Sequence, residues 1–149
     1  MRAVVQRVSS SRVLVGERTS GAIDRGLLVF VGVEQSDSDA DATWVAGKIA
    51  TMRIFRDAGD RMNLAVDEAG GAILLVSQFT LLGDARRGRR PSFARAAPAE
   101  VAQRLFERVG VELEARGLEV AYGVFGADMV VQASNQGPVT ILLDSNQTF

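Results

Sequence analysis

The sequence predicts an α+β fold in which mainly antiparallel strands form a barrel-like or curved sheet with two inserted helices. Three observations lead there. Short runs rich in Val, Ile and Leu recur at close spacing, divided by Gly, Asp and Ser. Two of them, Gly26–Val33 and Ala72–Val76, are unbroken apolar stretches of strand length, as suits strands buried on both faces. Two other segments instead carry apolar residues at intervals of three and four.

Arg2–Val8 reads as a strand, with Val4 and Val5 in a polar frame, and Ser9-Ser10-Ser11 as a turn. Arg12–Val15 and Thr19–Ile23 are strands around a hairpin tip at Gly16-Glu17. Asp24-Arg25-Gly26 turns the chain into the central strand Gly26–Val33. These close spacings suggest a meander rather than βαβ units. Ser36-Asp37-Ser38-Asp39 supplies capping side chains and negative charge to a helix over 39–52, where Val45, Ile49 and Met52 recur beside Ala42 and Ala46. Trp44 is expected in the core. Arg53-Ile54-Phe55 leaves this helix as a short strand. Turn-like segments at 57–60 and 67–71 flank Met62-Asn63-Leu64.

Pro98-Ala99-Glu100 opens the second helix, with proline suited to the first turn. Val101, Ala102, Leu105, Phe106, Val109 and Leu113 form its apolar stripe, read as core, and Gly117 ends it. Glu119–Val124 and Asp128–Ser134 are strands around Phe125-Gly126-Ala127. Asn135-Gln136-Gly137-Pro138-Val139-Thr140 is a turn before the last strand, Ile141–Asp144.

At 149 residues a single domain, 1–149, is expected. A chain of this size buries roughly 68–70% of its unfolded surface. Composition is 47% hydrophobic and 23% charged with a net charge of −1, which argues against a globally basic nucleic-acid binder. No segment has signal-peptide character or membrane-spanning length, so a soluble cytoplasmic protein is expected. Cysteine and histidine are both absent. That excludes disulfides, thiolate chemistry, metal sites built on His or Cys, and Ser–His or Cys–His nucleophile pairs. Any proton transfer must use a carboxylate, water, the backbone or the substrate.

Two stretches carry candidate chemistry. Ala72–Leu81 starts as a buried strand and then turns polar without a loop signal, at Ser77, Gln78 and Thr80. Alternation would put Ser77, Phe79 and Leu81 on one face and Gln78 and Thr80 on the other. Those polar groups need partners: neighbouring backbone, if they merely end the strand, or a ligand. The second stretch follows at once. Arg86, Arg87, Arg89, Arg90 and Arg95 fall within ten residues of a loop broken by Gly and Pro. Arginine suits bidentate phosphate contacts, so the loop is either a docking patch for a phosphate backbone or a solvated loop paired with carboxylates.

Ser77-Gln78-Phe79-Thr80-Leu81 and Asn135-Gln136-Gly137-Pro138-Val139-Thr140 together resemble the two signature motifs of the D-aminoacyl-tRNA deacylases. The resemblance extends along the whole chain, through Met1–Val8, Arg86–Phe93 and Tyr122–Met129. Gln136 stands where an acidic residue is frequent, and Arg87 where lysine is usual. The resemblance implies a cytoplasmic homodimer, with active sites at the subunit interface, that hydrolyses the ester joining a D-amino acid to tRNA without metal or cofactor. It implies a cis Gly137–Pro138 peptide reaching into the partner subunit's pocket, which Ser77, Gln78, Phe79 and Thr80 line as the catalytic segment. Arg7 and Phe125, from two of the other matching segments, join Gly137 and Pro138 as substrate-binding residues, and Arg86, Arg87, Arg89 and Arg90 as contacts to RNA.

The residues fit that chemistry. The neighbouring ribose hydroxyl and the α-ammonium already activate an aminoacyl ester, so a protein without imidazole need only position water and stabilise the oxyanion. Backbone N–H groups around Gln78–Thr80, or the Gln78 amide, are candidate donors. Thr80 as nucleophile would need a base; as an orienting group, with the 2′-hydroxyl activating water, it needs none, and that role is favoured. The other reading of the chain is a non-catalytic oligomeric protein that binds RNA or another ligand.

Overall fold

In the computed structural model, which describes residues 1–149, one long strand carries most of the pairing. β1 (Arg2–Val15) pairs antiparallel with β2 (Arg18–Ile23), β3 (Gly26–Gly32) and β8 (Val130–Asp144). Its first half meets β3 and its second half β2 along one edge, and β8 runs along the other edge. Beyond β3 the sheet continues through β6 (Ala72–Ser77) to β7 (Val120–Tyr122). β2 approaches β7, so the sheet curls into a nearly closed barrel. β4 (Phe55–Arg56) and β5 (Met62–Leu64) make a separate antiparallel pair.

The expected α+β class with a barrel-like sheet and two helices is found, with one correction. β3–β6 and β6–β7 are parallel. The expected meander does not form: β2 and β3 lie end to end along one edge of β1, so the first three strands make one long hairpin. Helix α1 (Asp39–Thr51) crosses from β3 to β6, and α2 (Ala99–Glu114) from β6 to β7. Parallel neighbours require a crossover of this kind, which close spacing among the first strands does not foretell.

Two apolar clusters explain the unbroken runs. Leu27, Val29 and Val31 of β3, with Ile73 and Leu75 of β6, pack under both helices. Leu28, Leu74 and Val76 point the other way and meet Val8, Val13 and Ile23 inside the barrel. Both faces of β3 and β6 are therefore buried, and neither strand needs polar alternation. α1 buries Ala42, Val45, Ala46, Ile49 and Ala50, and at its start the Asp41 carboxylate accepts hydrogen bonds from Ser38 N and Oγ, each at 2.8 Å. Trp44 is only half-buried against the core, with Lys48 Nζ 5.5 Å from its ring centre. α2 buries the expected stripe, plus Gly110 and minus the exposed Val101. No helix is long and apolar enough to cross a membrane.

Two expected turns are instead irregularities inside long strands. Ser9–Ser11 stays within β1: Ser11 Oγ donates to Gln132 O at 2.9 Å and Ser9 Oγ to Ser134 O at 3.5 Å. These bonds to β8 replace the local bonds a turn would make. The segment around Gly137–Pro138 stays within β8. Gln6 pairs with Thr140 and Val8 with Asn135, so two steps along β1 match five along β8. The surplus is expelled as a bulge. Asn135 Oδ1 accepts from Val139 N at 2.9 Å and Asn135 Nδ2 donates to Thr140 Oγ1 at 3.0 Å, which clips its base. Within it the Gly137–Pro138 peptide is cis and Gly137 has φ +131.

Gly26 starts β3 where Ala72 starts β6, and a Cβ on Gly26 would overlap the Ala72 carbonyl. Gly16, at the hairpin tip with φ +59, has open space around it. Gly26→Ala is expected to cost about 3 kcal/mol, the upper end for overpacking, and Gly16→Ala about 1–2 kcal/mol from the left-handed backbone alone. Urea denaturation midpoints of the two variants check the order.

Candidate active-site cleft and the Gly137–Pro138 bulge

β6 delivers the first half of the site. Gln78 N makes the strand's last bond, to Val31 O at 2.7 Å, and the chain then winds into a short 3-10 helix, Phe79–Leu82. Leu81 N donates to Gln78 O at 3.3 Å and Gly83 N to Thr80 O at 3.0 Å. The expected alternation of Phe79 and Leu81 against Gln78 and Thr80 therefore fails: side chains of a tight helix radiate every third of a turn. Polar groups at a buried strand's end are satisfied by curling the backbone. The first N–H groups of such a helix have no acceptor within it.

Ser77, Gln78, Phe79 and Thr80 line a cleft of about 370 Å³, and Phe125 lines it from the β7–β8 connection. The space exists because Ala96, Ala97, Ala99 and Ala102 present only methyl groups there, with Phe106 of α2 beside them. Phe106 meets Phe125 at 6.1 Å between ring centres and Tyr122 edge-on at 6.5 Å. The Tyr122 hydroxyl donates to Glu114 Oε1 at 2.7 Å, and burial, then that carboxylate, raises its pKa above the usual tyrosine value. The rings thus form a braced floor. Reading the α2 stripe as core alone missed Ala102 and Phe106. The available signal was alanine at four positions over 96–102, too small to fill the volume beside an aromatic.

The other expected site residues lie elsewhere in the chain. Gly137 lines a separate cleft of about 440 Å³ with Arg7, Arg25 and Arg56. Arg7 is 4% exposed, and its Nε donates to Gln136 O at 3.1 Å and its Nη1 to Ile54 O at 2.6 Å. Burial, then the neighbouring Arg56 and Arg25, lowers its pKa. Arg7 thus ties the bulge to the segment before β4. Of the expected site residues, one chain brings Ser77–Thr80 together with Phe125, and Arg7 together with Gly137 and its exposed neighbour Pro138. The two sets share no cleft.

The basic loop is pinned at its base by Asp84 and Ser92, which exchange backbone bonds of 2.8 and 2.9 Å. Arg86 grips Asp84 through Nε at 2.8 Å and Nη2 at 2.5 Å, and so holds that carboxyl far below its usual pKa. Arg95 pairs with Glu34 at 2.7 Å. Arg87, Arg89 and Arg90 are exposed and have no ion-pair partner. Phe93 of this loop packs edge-on against Phe79, 5.2 Å between centres, which joins the loop to the cleft mouth.

A family model described as D-Tyr-tRNA(Tyr) deacylase matches residues 4–144. The D-aminoacyl-tRNA deacylase of Anaeromyxobacter dehalogenans is 58% identical over 149 residues, all of both chains, and that of Thermotoga petrophila 54% over the same span. Among solved structures, a c-Myc DNA unwinding element binding protein is 36% identical, with a TM-score of 0.90 over 97% of this chain and 98% of the other. A probable eukaryotic D-amino acid tRNA deacylase, 19% identical with a TM-score of 0.81 over 95% and 97%, shares the fold.

Phe106→Ala is expected to lower stability by about 3–5 kcal/mol, because both ring contacts go and a cavity opens beneath the cleft. Tyr122→Phe, which keeps the ring and loses one hydrogen bond, is expected to cost about 1 kcal/mol. Equilibrium unfolding of the two variants separates the ring's packing from the hydroxyl's bond.

Proposed function

The chain belongs to the D-Tyr-tRNA(Tyr) deacylase family, and from that we propose that it hydrolyses the ester of D-aminoacyl-tRNA, releasing the D-amino acid and the tRNA. What carries the reading is the seating of Ser77–Thr80 at the mouth of a cleft, in a chain without histidine or cysteine. Such a site suits an ester that brings its own activation. The 2′-hydroxyl of the terminal adenosine helps activate water, and the α-ammonium withdraws electrons from the carbonyl. Backbone N–H groups at Phe79 and Thr80, or the Gln78 amide, stabilise the oxyanion, where one donor is worth roughly 3–4 kcal/mol. Ser77 supports the segment, and Thr80 orients substrate or water.

Handedness is policed by exclusion. Gly137 and Pro138 of one subunit form a main-chain wall against the partner's cleft, where their carbonyl oxygens take the α-ammonium and an L side chain collides. The same chain's cleft lacks that wall, which supports a homodimer with the site at the interface. So does the outer edge of β8, which pairs with no strand and exposes Val130 and Leu142. Arg87, Arg89 and Arg90 are free for phosphates, while Arg86 acts first as the loop's clasp on Asp84. Phe125, in the floor of the cleft, lies beneath the terminal nucleotide, and the site is that of a cytoplasmic enzyme meeting charged tRNA.

A second reading, nucleic-acid binding without hydrolysis, is favoured by the name of the 36% identical structure. Incubation with matched D- and L-aminoacyl-tRNA decides between them. A deacylase destroys the D ester and spares the L ester; a binder protects or ignores both. Glycyl-tRNA, with no side chain to reject, is expected to be hydrolysed to some extent.

Thr80→Val is expected to slow D-ester hydrolysis by about 10²-fold, the scale of one missing hydrogen-bonding group, with no acyl-enzyme trapped on the wild type. Trapping one at Thr80 would make it the nucleophile. Gly137→Ala should abolish most activity while leaving the Ser77–Thr80 cleft intact: φ is +131, and the new Cβ would lie 2.9 Å from Val139 Cγ2 and 3.0 Å from Arg7 Nη2. Single-turnover deacylation rates measure both. Arg87→Gln, Arg89→Gln and Arg90→Gln together should flatten the dependence of tRNA affinity on salt, by about 0.7–0.9 in log–log slope for each phosphate no longer neutralised.

A further inference from the structure

We propose that the cleft beside Gly137 is a phosphate site for an RNA strand, in which Arg25, Arg56 and the buried Arg7 receive the phosphodiester next to the terminal nucleotide. The inference rests on the reading of the chain as acting on aminoacyl-tRNA. Three guanidinium groups line this cleft and no carboxylate does. Arg7 is 4% exposed, yet its hydrogen-bond partners are two neutral carbonyls, and Nη2 donates to no group of the chain. A buried cation without a counter-charge is costly. Arg25 and Arg56 add to that cost, since like charges at close range oppose each other. Arg25 stacks over Phe55 at 5.4 Å and has no acidic partner, and Arg56 has only Asp60, at 2.5 Å on the surface. The contrast with the basic loop is informative. There the unpaired arginines, Arg87, Arg89 and Arg90, are exposed to solvent; here Arg7 is buried and, with Arg25, lacks a carboxylate beside a cavity.

An anion with several oxygens relieves this arrangement, because guanidinium forks match phosphate geometry. Position selects the source. The cleft's wall includes Gln136 and Gly137, the motif set against the substrate's ammonium in the proposed reaction. The anion covalently nearest an ester on a terminal ribose is the phosphodiester linking that nucleotide to the one before it. The subunit that lends Gly137 would then also hold the strand that carries the ester.

The test uses the double variant Arg25→Gln/Arg56→Gln, both positions being exposed. Uncharged tRNA binding is measured against salt concentration. The variant should bind roughly tenfold more weakly at low salt, with a slope shallower by about 1.4, or 0.7 for each of two single-strand contacts. Its kcat/KM deficit should be at least about tenfold greater on D-aminoacyl-tRNA than on D-aminoacyl-adenosine, which has no such phosphate. Inorganic phosphate at constant ionic strength should weaken tRNA binding by the wild type and not by the variant. An unchanged slope, equal deficits on the two esters, or equal competition by phosphate overturns the assignment. If the wild type cleaves neither ester, the deacylase reading fails, and the salt slope and phosphate competition still decide the site.

Discussion

A mismatch in length between two paired strands is the constraint on which the rest depends. β1 and β8 pair along nearly their whole lengths, yet β8 brings three more residues than β1 can match between Thr140 and Asn135. The ladder on either side is strong enough to hold, so the surplus leaves the sheet as a bulge carrying Gly137 and Pro138. A loop expelled in this way would ordinarily be mobile. Here Asn135 closes its neck and Arg7 bonds its Gln136 carbonyl from beneath. Arg7 lies on β1 between Gln6 and Val8, opposite the break in register. One residue of the partner strand thus fills the gap that the mismatch opens and holds what it expels.

The cleft arises by a complementary device. β6 is packed on both faces until Val76, so its backbone arrives at a fixed place. The chain then curls instead of continuing, and the alanines before and within α2 leave the volume that a larger stripe would fill. Rigid delivery of a backbone segment to an unfilled cavity suits chemistry done by N–H groups, since these are positioned by the fold and lose no side-chain freedom. In the proposed reaction this matters because no imidazole is present to compensate for a misplaced donor.

Much of this was legible in the sequence. The apolar periods marked both helices and both central strands, because burial leaves a pattern whatever the topology. The motif residues Ser77–Thr80 and Gly137–Pro138 stood out, and Phe125 joins the first group. Parallel pairing was hidden, since it depends on where a helix returns the chain and not on the strand's own residues. Ser9–Ser11 and Gly137–Pro138 resembled turns because the same residue types serve turns and bulges; only the partner strand decides between them. Ala102 and Phe106 were hidden for another reason. A residue facing a cavity and a residue facing the core share one helical stripe, and an alanine reads identically in both. The pairing of Arg86 with Asp84 was invisible in a count of arginines, although only Ala85 separates them.

The two halves of the proposed site stand apart within one chain, which bears on selectivity. In one chain Ser77–Thr80 line one cleft and Gly137 lines another, so in the proposed reaction the first cleft lacks the wall that Gly137 and Pro138 would form. The same β8 that carries the wall has an outer edge without a strand partner, and an open edge of this length is a template for pairing. If a second copy supplies the wall, as proposed, discrimination between enantiomers belongs to the assembly and not to either chain. An unassembled chain would present the cleft to an aminoacyl ester without the means to refuse the L form. In such an assembly, coupling the wall to the strand at the interface would remove that hazard: a chain would not complete its site without acquiring the filter. The register mismatch between β1 and β8 therefore shapes more than a local bulge, since it sets the wall beside the edge through which the second copy would join.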